Sequence, residues 1–468
     1  MNWKTVLKSL KNRDMLRRLF AILGIVVVYR FLAHIPVPLA EPTKFKEVID
    51  SVIGSTDFGG FMNLISGGAL TSFSIIMVGL GPFITASIIT QLLAKAIPQL
   101  EELHNDGESG RRKINQWTRM LVVPLAIVQA IAYMFILRQT VLAGNTTALA
   151  ETTMSEWITA ITAMSAGSVL LMWLGELITE QGLGNGISMI IFASIASQLP
   201  SMVASLGAAL LDTSAGALSV FGWFDIPINP KMLGLIACMV VACLAVLYLL
   251  VKINEAQRII TINYAKRVHG NSSYGGVKSI LPIKLITAGV TPVIFAVAFL
   301  SLPAFAGQLL KSADKAPELA NNLITWFQAP SPGTFTGQTW QAFIYPVVYS
   351  LLIIGFTYFY TSIIFNAKEI ADGMQKQGGF VEGVRPGKST EKYLLSIVNR
   401  LTFFGALSLG LIALLPFIAD WLLYSLAGIQ DSRLSLSGTS LLIMVTVALE
   451  NLRQLNSRAL MVTYDEYE

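Results

Sequence analysis

Residues 61–97 (FMNLISGGALTSFSIIMVGLGPFITASIITQLLAKAI) form an apolar stretch too long for one membrane helix and too short for two. As one continuous helix it would run roughly 55 Å, against a hydrocarbon core of about 30 Å. It is interrupted twice, by Gly67-Gly68 and by Gly79-Leu80-Gly81-Pro82, with Ser66, Thr71, Ser72 and Ser74 between or beside the breaks. Non-helical backbone at membrane depth persists only where protein buries it or where it lines a watery cavity. The segment therefore predicts a short half-inserted helix near 60–72 followed by a full span. Helices broken inside a bilayer are a device of proteins that move something across it.

Composition agrees with a membrane setting. The chain is 54% hydrophobic and only 13% charged, with a mean hydropathy of +0.62, far from soluble averages. Windows of about 20 apolar residues predict spans near 17–37, 75–97, 117–137, 157–178, 186–207, 232–252, 284–305, 341–365, 394–418 and 438–456. The expected fold is an all-α polytopic membrane protein with ten transmembrane helices in two pseudo-symmetric halves of five. Residues 1–207 hold spans 1–5 and the half-inserted segment; 208–468 hold spans 6–10. Gly81-Pro82 in the first half and Thr291-Pro292 in the second half break the corresponding helices, as in an inverted repeat.

Charge sets the orientation. Most of the 33 Lys and Arg lie in the N-terminal tail, at 98–116, 253–283 and 366–393 with their helix ends, and at the C-terminal end. The opposite loops hold only Lys44, Lys46, Arg138, Lys231, Lys311, Lys315 and Arg433. The positive-inside rule puts both termini in the cytoplasm. The first span has a basic lead-in (Lys4, Lys8, Lys11, Arg13, Arg17, Arg18) but no small-residue cleavage site, so it reads as a retained helix. Cys238 and Cys243 share one span and point to different sides of it, so no disulfide framework is expected.

Two cytoplasmic connections stand apart. In 253–283 a β-rich alternating run (RIITINY) precedes a basic turn with Gly275-Gly276 and a second short run, which predicts a protruding hairpin. Residues 366–393 begin as a helix, then turn at Gly378-Gly379 and from Gly383 to Gly387. Arg258, Lys266, Arg267, Arg385 and Lys388 make this surface basic. Arg385 lies between Gly383-Val384 and Pro386-Gly387, a stiff tip suited to anchoring a partner or RNA phosphates.

The chain carries no catalytic or metal-ligand constellation. EGVRPGKST at 382–390 misses the phosphate-loop spacing, because Glu382 stands where the first glycine belongs. His34, His104 and His269 are scattered, and Arg30, Lys95, Glu176 and Glu450 sit near span ends where each can reach an interface. Ile84 with Ile88, and Ile187 with Ile191, are paired four apart and face one way. Such pairs suit lipid contact or core packing, and equally a ring of apolar side chains that seals a pore.

Several strings closely resemble the bacterial SecY family: SGGAL at 66–70, GPFITASIITQLL at 81–93, DGESGRRKINQWTR at 106–119, LMWLGELITEQGLGNGISMIIFASI at 171–195, INYAKR at 262–267, GVRPGKSTEKYL at 383–394, RLTFFGALSL at 400–409 and GTSLLIMV at 438–445. The similarity is collinear and runs essentially end to end. It implies the central, protein-conducting channel of the Sec translocase in the cytoplasmic (inner) membrane. By position it implies a plug around 61–72 that includes Ser66, Gly67, Gly68, Ala69 and Leu70. It implies a pore ring of Ile84, Ile88, Ile187, Ile191, Ile294 and Ile443, and a lateral gate marked by Gly81, Pro82, Thr291 and Pro292. The loops with Arg258, Lys266, Arg267, Arg385 and Lys388 would dock the ribosome, through rRNA and proteins, or the SecA motor ATPase. SecE and SecG would be membrane partners, and signal sequences and nascent polypeptides the cargo released across or into the lipid bilayer. Thr291 stands where many of these proteins are apolar, and the last residues, YDEYE, lack the basic tail some carry, so no tail-mediated contact is expected. No cofactor is implied, and the energy must come from a partner. The alternative is a small-solute secondary transporter, which the ten spans and the repeat would allow but which needs a midplane polar site. A membrane anchor for cytoplasmic enzymes would leave the broken helix without a purpose.

Overall fold

The structure, a computed structural model, describes residues 13–38, 73–143, 153–182, 184–211, 218–220, 224–226, 230–264, 267–269, 272–274, 278–289, 291–312, 316–327, 330, 340–427 and 438–465. These residues are mostly helical, and six helices among them are long and apolar enough to cross a membrane. In chain order the helices are α1 (Arg13–Leu32), α2 (Gly81–Ala96), α3 (Pro98–Asn105), α4 (Gly107–Ala143), α5 (Met154–Glu180), α6 (Gly186–Ala196), α7 (Leu199–Leu210), α8 (Pro230–Glu255), α9 (Thr291–Ser312), α10 (Pro317–Phe327), α11 (Ile344–Ile364), α12 (Ala367–Lys376), α13 (Lys388–Ala427) and α14 (Gly438–Asp465). The strands are β1 (Leu218–Val220), β2 (Phe224–Ile226), β3 (Gln257–Tyr264), β4 (Arg267–His269), β5 (Ser272–Tyr274), β6 (Lys278–Lys284) and β7 (Gly379–Val381).

Each of the ten expected spans contains helix, but three boundaries differ for identifiable reasons. The second begins only at Gly81, with Pro82 in the first turn. Proline lacks an N–H and presets φ, so it starts helices rather than continuing them. The seventh begins at Thr291 rather than near 284, because Lys278–Lys284 is strand and Pro292 again opens the helix. The fifth is divided into α6 and α7 at Ser197-Gln198, with a proline in the first turn of α7. Both prolines expected to interrupt helices therefore mark helix starts.

The residues fall into two compact units. One comprises Met1–Ile236, Val297–Tyr345 and Ala419–Glu468; the other comprises Ala237–Ala296 and Pro346–Ile418. In the first unit, α2 packs on α4, α4 on α5, and α6 lies among α5, α14 and α1. Small residues bring these helices close: a β-carbon on Gly81 would stand 3.1 Å from the Gln129 amide oxygen. Thr90 and Thr118 join α2 to α4 by a buried hydroxyl–hydroxyl bond of 2.9 Å, in which one donates to the other and the acceptor's own proton goes to a carbonyl of its helix. Helix α1 is pinned to the turn after α5 by Arg18 Nη1 donating to the Gln181 carbonyl. It is pinned to the α6 region by Tyr29 sharing a 2.6 Å bond with Ser194 and by Arg30 donating to Ser197.

The second unit carries a three-stranded sheet of order β6-β3-β7, all antiparallel. The hairpin expected within 253–283 is present as β3 paired with β6, Gln257 opposite Lys284 through Asn263 opposite Lys278. The third strand comes from the other loop, with Ile262 opposite Val381. The alternation that predicted the hairpin places Ile260, Ile262, Ile283 and Val381 on one face. There they pack with Ala367 and Met374 of α12 and with Leu394 and Val398 of α13. Helix α13 can reach them because it has 40 residues. Its uncharged run, 401–419, covers about 28 Å by helical rise, close to a full bilayer core. The turns before it, Lys388–Arg400, are left to project and support the sheet.

Candidate functional site

The non-helical turn Phe73–Leu80 is the first element of the site. It is buried: Ser74 and Ile76 are 0% exposed, and Phe73, Met77 and Val78 pack with Val37, Tyr133, Met134 and Met164. A buried turn must satisfy its backbone polar groups without water, and this one bonds to two neighbours. The residues after α1 supply one: Val37 N–H donates to the Phe73 carbonyl, Ile75 N–H to the Ile35 carbonyl, and Ser74 Oγ to the Leu32 carbonyl. Helix α5 supplies the other, where Ser168 Oγ donates to the Gly79 carbonyl at 2.8 Å. Gly167 beside it is a close-approach glycine, since a β-carbon there would lie 2.2 Å from the Ile75 carbonyl oxygen. Within the turn, Met77 N–H reaches Ser74 O, Gly79 N–H reaches Ile76 O, and Ile84 N–H reaches Leu80 O as α2 begins. Gly79 adopts φ +65°, the left-handed geometry that glycine enters without steric cost. The break thus falls where the glycines and Pro82 placed it. Sequence offered no sign that Gly167 and Ser168 would hold it.

The apolar pairs sit on helices of this unit. Ile84 and Ile88 are buried on α2, Ile191 on α6 and Ile443 on α14, with Ile187 half-buried. Helices α6 and α14 pack together, so Ile187, Ile191 and Ile443 belong to contacting elements. Ile294 is half-buried on α9, within the second unit. Thr291 and Pro292 form the first turn of α9, and Gly81 and Pro82 that of α2. The expected plug residues Ser66, Gly67, Gly68, Ala69 and Leu70 lie outside the described residues.

In the two basic connections, Arg258 is exposed on β3, Arg267 opens β4 opposite Tyr274, and Lys266 lies outside the described residues. Arg385 is exposed on the turn between β7 and α13. Gly383 and Gly387 flank it at φ +78° and +90°, and Thr390 Oγ1 donates to its carbonyl at 2.9 Å. Val384 N–H to Val381 O and Glu391 N–H to Gly387 O close the turn from both sides. The backbone is fixed while the guanidinium stays free to meet solvent, and Lys388 is exposed three residues on. Arg119 of α4 and Glu176 of α5 form an ion pair of 2.6 Å. No group of His, Cys, Asp and Glu fit to hold a metal occurs among the described residues.

Comparison with known proteins places this geometry. The SecY family model matches residues 74–452. The chain is 36% identical over 466 residues to the protein translocase subunit SecY of Streptomyces coelicolor, covering 98% of each chain. It is likewise 36% identical over 466 residues to that of Corynebacterium glutamicum, again with 98% of each covered. Among solved structures it is similar to a protein-conducting channel (TM-score 0.60, 18% identity, 93% of this chain and 92% of that one). It is also similar to Sec61 in a canine ribosome–channel complex from the endoplasmic reticulum (TM-score 0.56, 17% identity, 93% and 92% covered).

Proposed function

The chain belongs to the SecY family, and from that premise we propose how its parts divide the work of a protein-conducting channel. It is a membrane-embedded translocase subunit, a channel rather than an enzyme, and it works with translocon partners. In our reading the two halves, 1–207 and 208–468, enclose the path. Ile84, Ile88, Ile187, Ile191, Ile294 and Ile443 narrow it at the middle.

The physical demand is that an unfolded polypeptide must cross without an ion leak. An isolated ion leaving water for an apolar ring loses hydration worth tens of kcal/mol, and a narrow apolar constriction dewets. Branched apolar side chains offer no fixed hydrogen bonds, so they yield to any passing sequence and close behind it. The segment 61–72 would add a second seal as a plug. A lateral gate marked by Gly81, Pro82, Thr291 and Pro292 would release apolar segments into lipid.

The observation that carries this reading is the buried turn Phe73–Leu80 ahead of α2, hydrogen-bonded to α5 and to the residues after α1. A bilayer protein retains such a break where it lines a path or seats a moving element. The welded cytoplasmic sheet and the Arg385 tip would dock the SecA motor or the ribosome, with SecE and SecG as membrane partners. Both termini would face the cytoplasm, in the inner membrane. Photo-crosslinkers at Ile84 and Ile191 test the pore assignment. They should capture a stalled secretory precursor, and labelling of lipid and neighbouring helices alone would exclude it.

A further inference from the structure

The first turn of α6 rests on α5 with no side chain between them. A β-carbon on Gly186 would stand 1.8 Å from the Gly175 carbonyl oxygen and 2.8 Å from both the Gly175 carbonyl carbon and Ile178 Cβ. Each of these atoms belongs to the α5 backbone or sits directly on it, so no rotamer change makes room. The approach is reciprocal, because a β-carbon on Gly175 would lie 3.0 Å from Ile187 Cγ1 and 3.5 Å from Ile190 Cδ1. Ile187 therefore lies directly over bare helix backbone.

Hydrogen bonds lock the contact. Gly186 N–H donates to Thr179 Oγ1 at 2.9 Å, and the same hydroxyl donates to the Gly175 carbonyl at 2.9 Å. The next two N–H groups, of Ile187 and Ser188, reach Asn185 Oδ1 at 3.1 and 3.5 Å. Met189 N–H then begins the helical ladder on the Asn185 carbonyl. The N–H groups of Gly186, Ile187 and Ser188, which a helix start leaves without partners, are thus satisfied from α5 or from the cap, and the start of α6 has one seat.

We propose that Gly186, seated on Gly175 and held by Thr179, is a positioning residue that sets how far Ile187 and Ile191 reach into the channel constriction. The inference rests on the pore reading above. Ile191, one turn beyond Ile187 on the same face, is carried by the same rigid turn. Moving Gly186 Cβ from 1.8 Å to the 3.0 Å floor of real contacts shifts the start of α6 by at least 1.2 Å. That displacement is comparable to a methyl group, and a dewetted constriction responds to such a change in radius. Elsewhere α6 is tied to α1 through Ser194 and Ser197, so its far end stays in place and the shift falls on the end that bears Ile187.

The test is potassium and chloride flux through the resting channel, purified with its membrane partners and reconstituted in vesicles. Gly186→Ala should raise the flux several-fold. Gly207→Ala, where nothing lies within 4 Å of the added carbon, should leave it unchanged. Gly175→Ala keeps the inference testable if Gly186→Ala fails to assemble. Its methyl meets mainly the Ile187 side chain, so it should assemble and give a smaller rise. Ile191→Ser separates the two claims by making the ring itself polar. If Ile191→Ser leaks while both glycine variants match wild type, the positioning role is overturned and the pore reading stands. If Ile191→Ser does not leak either, the pore reading has failed.

Discussion

Gly167→Ala tests whether the turn before α2 is held as its geometry requires. The added β-carbon would fall 2.2 Å from the Ile75 carbonyl oxygen, 2.8 Å from its carbon and 3.3 Å from Ile76 N, all backbone. Reaching 3.0 Å demands a separation of about 0.8 Å between α5 and the turn, in a close-packed interior where overpacking costs about 1–3 kcal/mol. The same displacement stretches the 2.8 Å bond from Ser168 to the Gly79 carbonyl. That leaves a buried acceptor unsatisfied, at a further cost of about 1–3 kcal/mol. The turn should therefore open more readily by about 2–6 kcal/mol, on the order of 30- to 20,000-fold in its local opening equilibrium. Hydrogen exchange read by mass spectrometry on peptides covering 73–80 reports this directly, because the Met77 and Gly79 amides are bonded inside the turn. Ser168→Ala should give part of the effect without steric pressure. Gly355→Ala, with open space around it, is the control. Wild-type exchange in Gly167→Ala would refute the seating.

Three further outcomes follow from the same structure. Arg385→Glu should abolish motor-driven precursor translocation while the complex assembles normally, since the turn is held by backbone and Thr390 contacts rather than by the guanidinium; normal translocation would remove the docking role. Leu394→Ala empties a fully buried position between α13 and the sheet, costing about 2–5 kcal/mol. Limited proteolysis should then cut within 253–284 faster than in wild type, and equal cutting would mean the sheet does not depend on α13. The Arg119–Glu176 pair is half exposed at Arg119, so a double-mutant cycle on thermal stability should give a coupling of no more than about 1 kcal/mol.

The hydropathy and charge of the chain were enough to determine a polytopic helical membrane protein, because burial of apolar surface and internal backbone bonding leave a bilayer-spanning segment little else to form. They also located the break at Gly79–Pro82 and the β3–β6 hairpin, whose residues carry local signals: glycine, proline, and period-two alternation. The strings around 81–93 and 383–394 carried the family. What local signals could not reach were contacts between residues distant in sequence. That β7 would join the hairpin of the preceding loop depends on Val381 meeting Ile262. That the break would be pinned depends on Gly167 and Ser168, roughly ninety residues away. The start of α6 shows the division most clearly. Asn185 caps α6 through the N–H groups of its near neighbours Ile187 and Ser188, a matter of adjacent residues. That Gly186 must lack a side chain is decided by the carbonyl of Gly175 on another helix, and only close packing of the folded chain brings the two together.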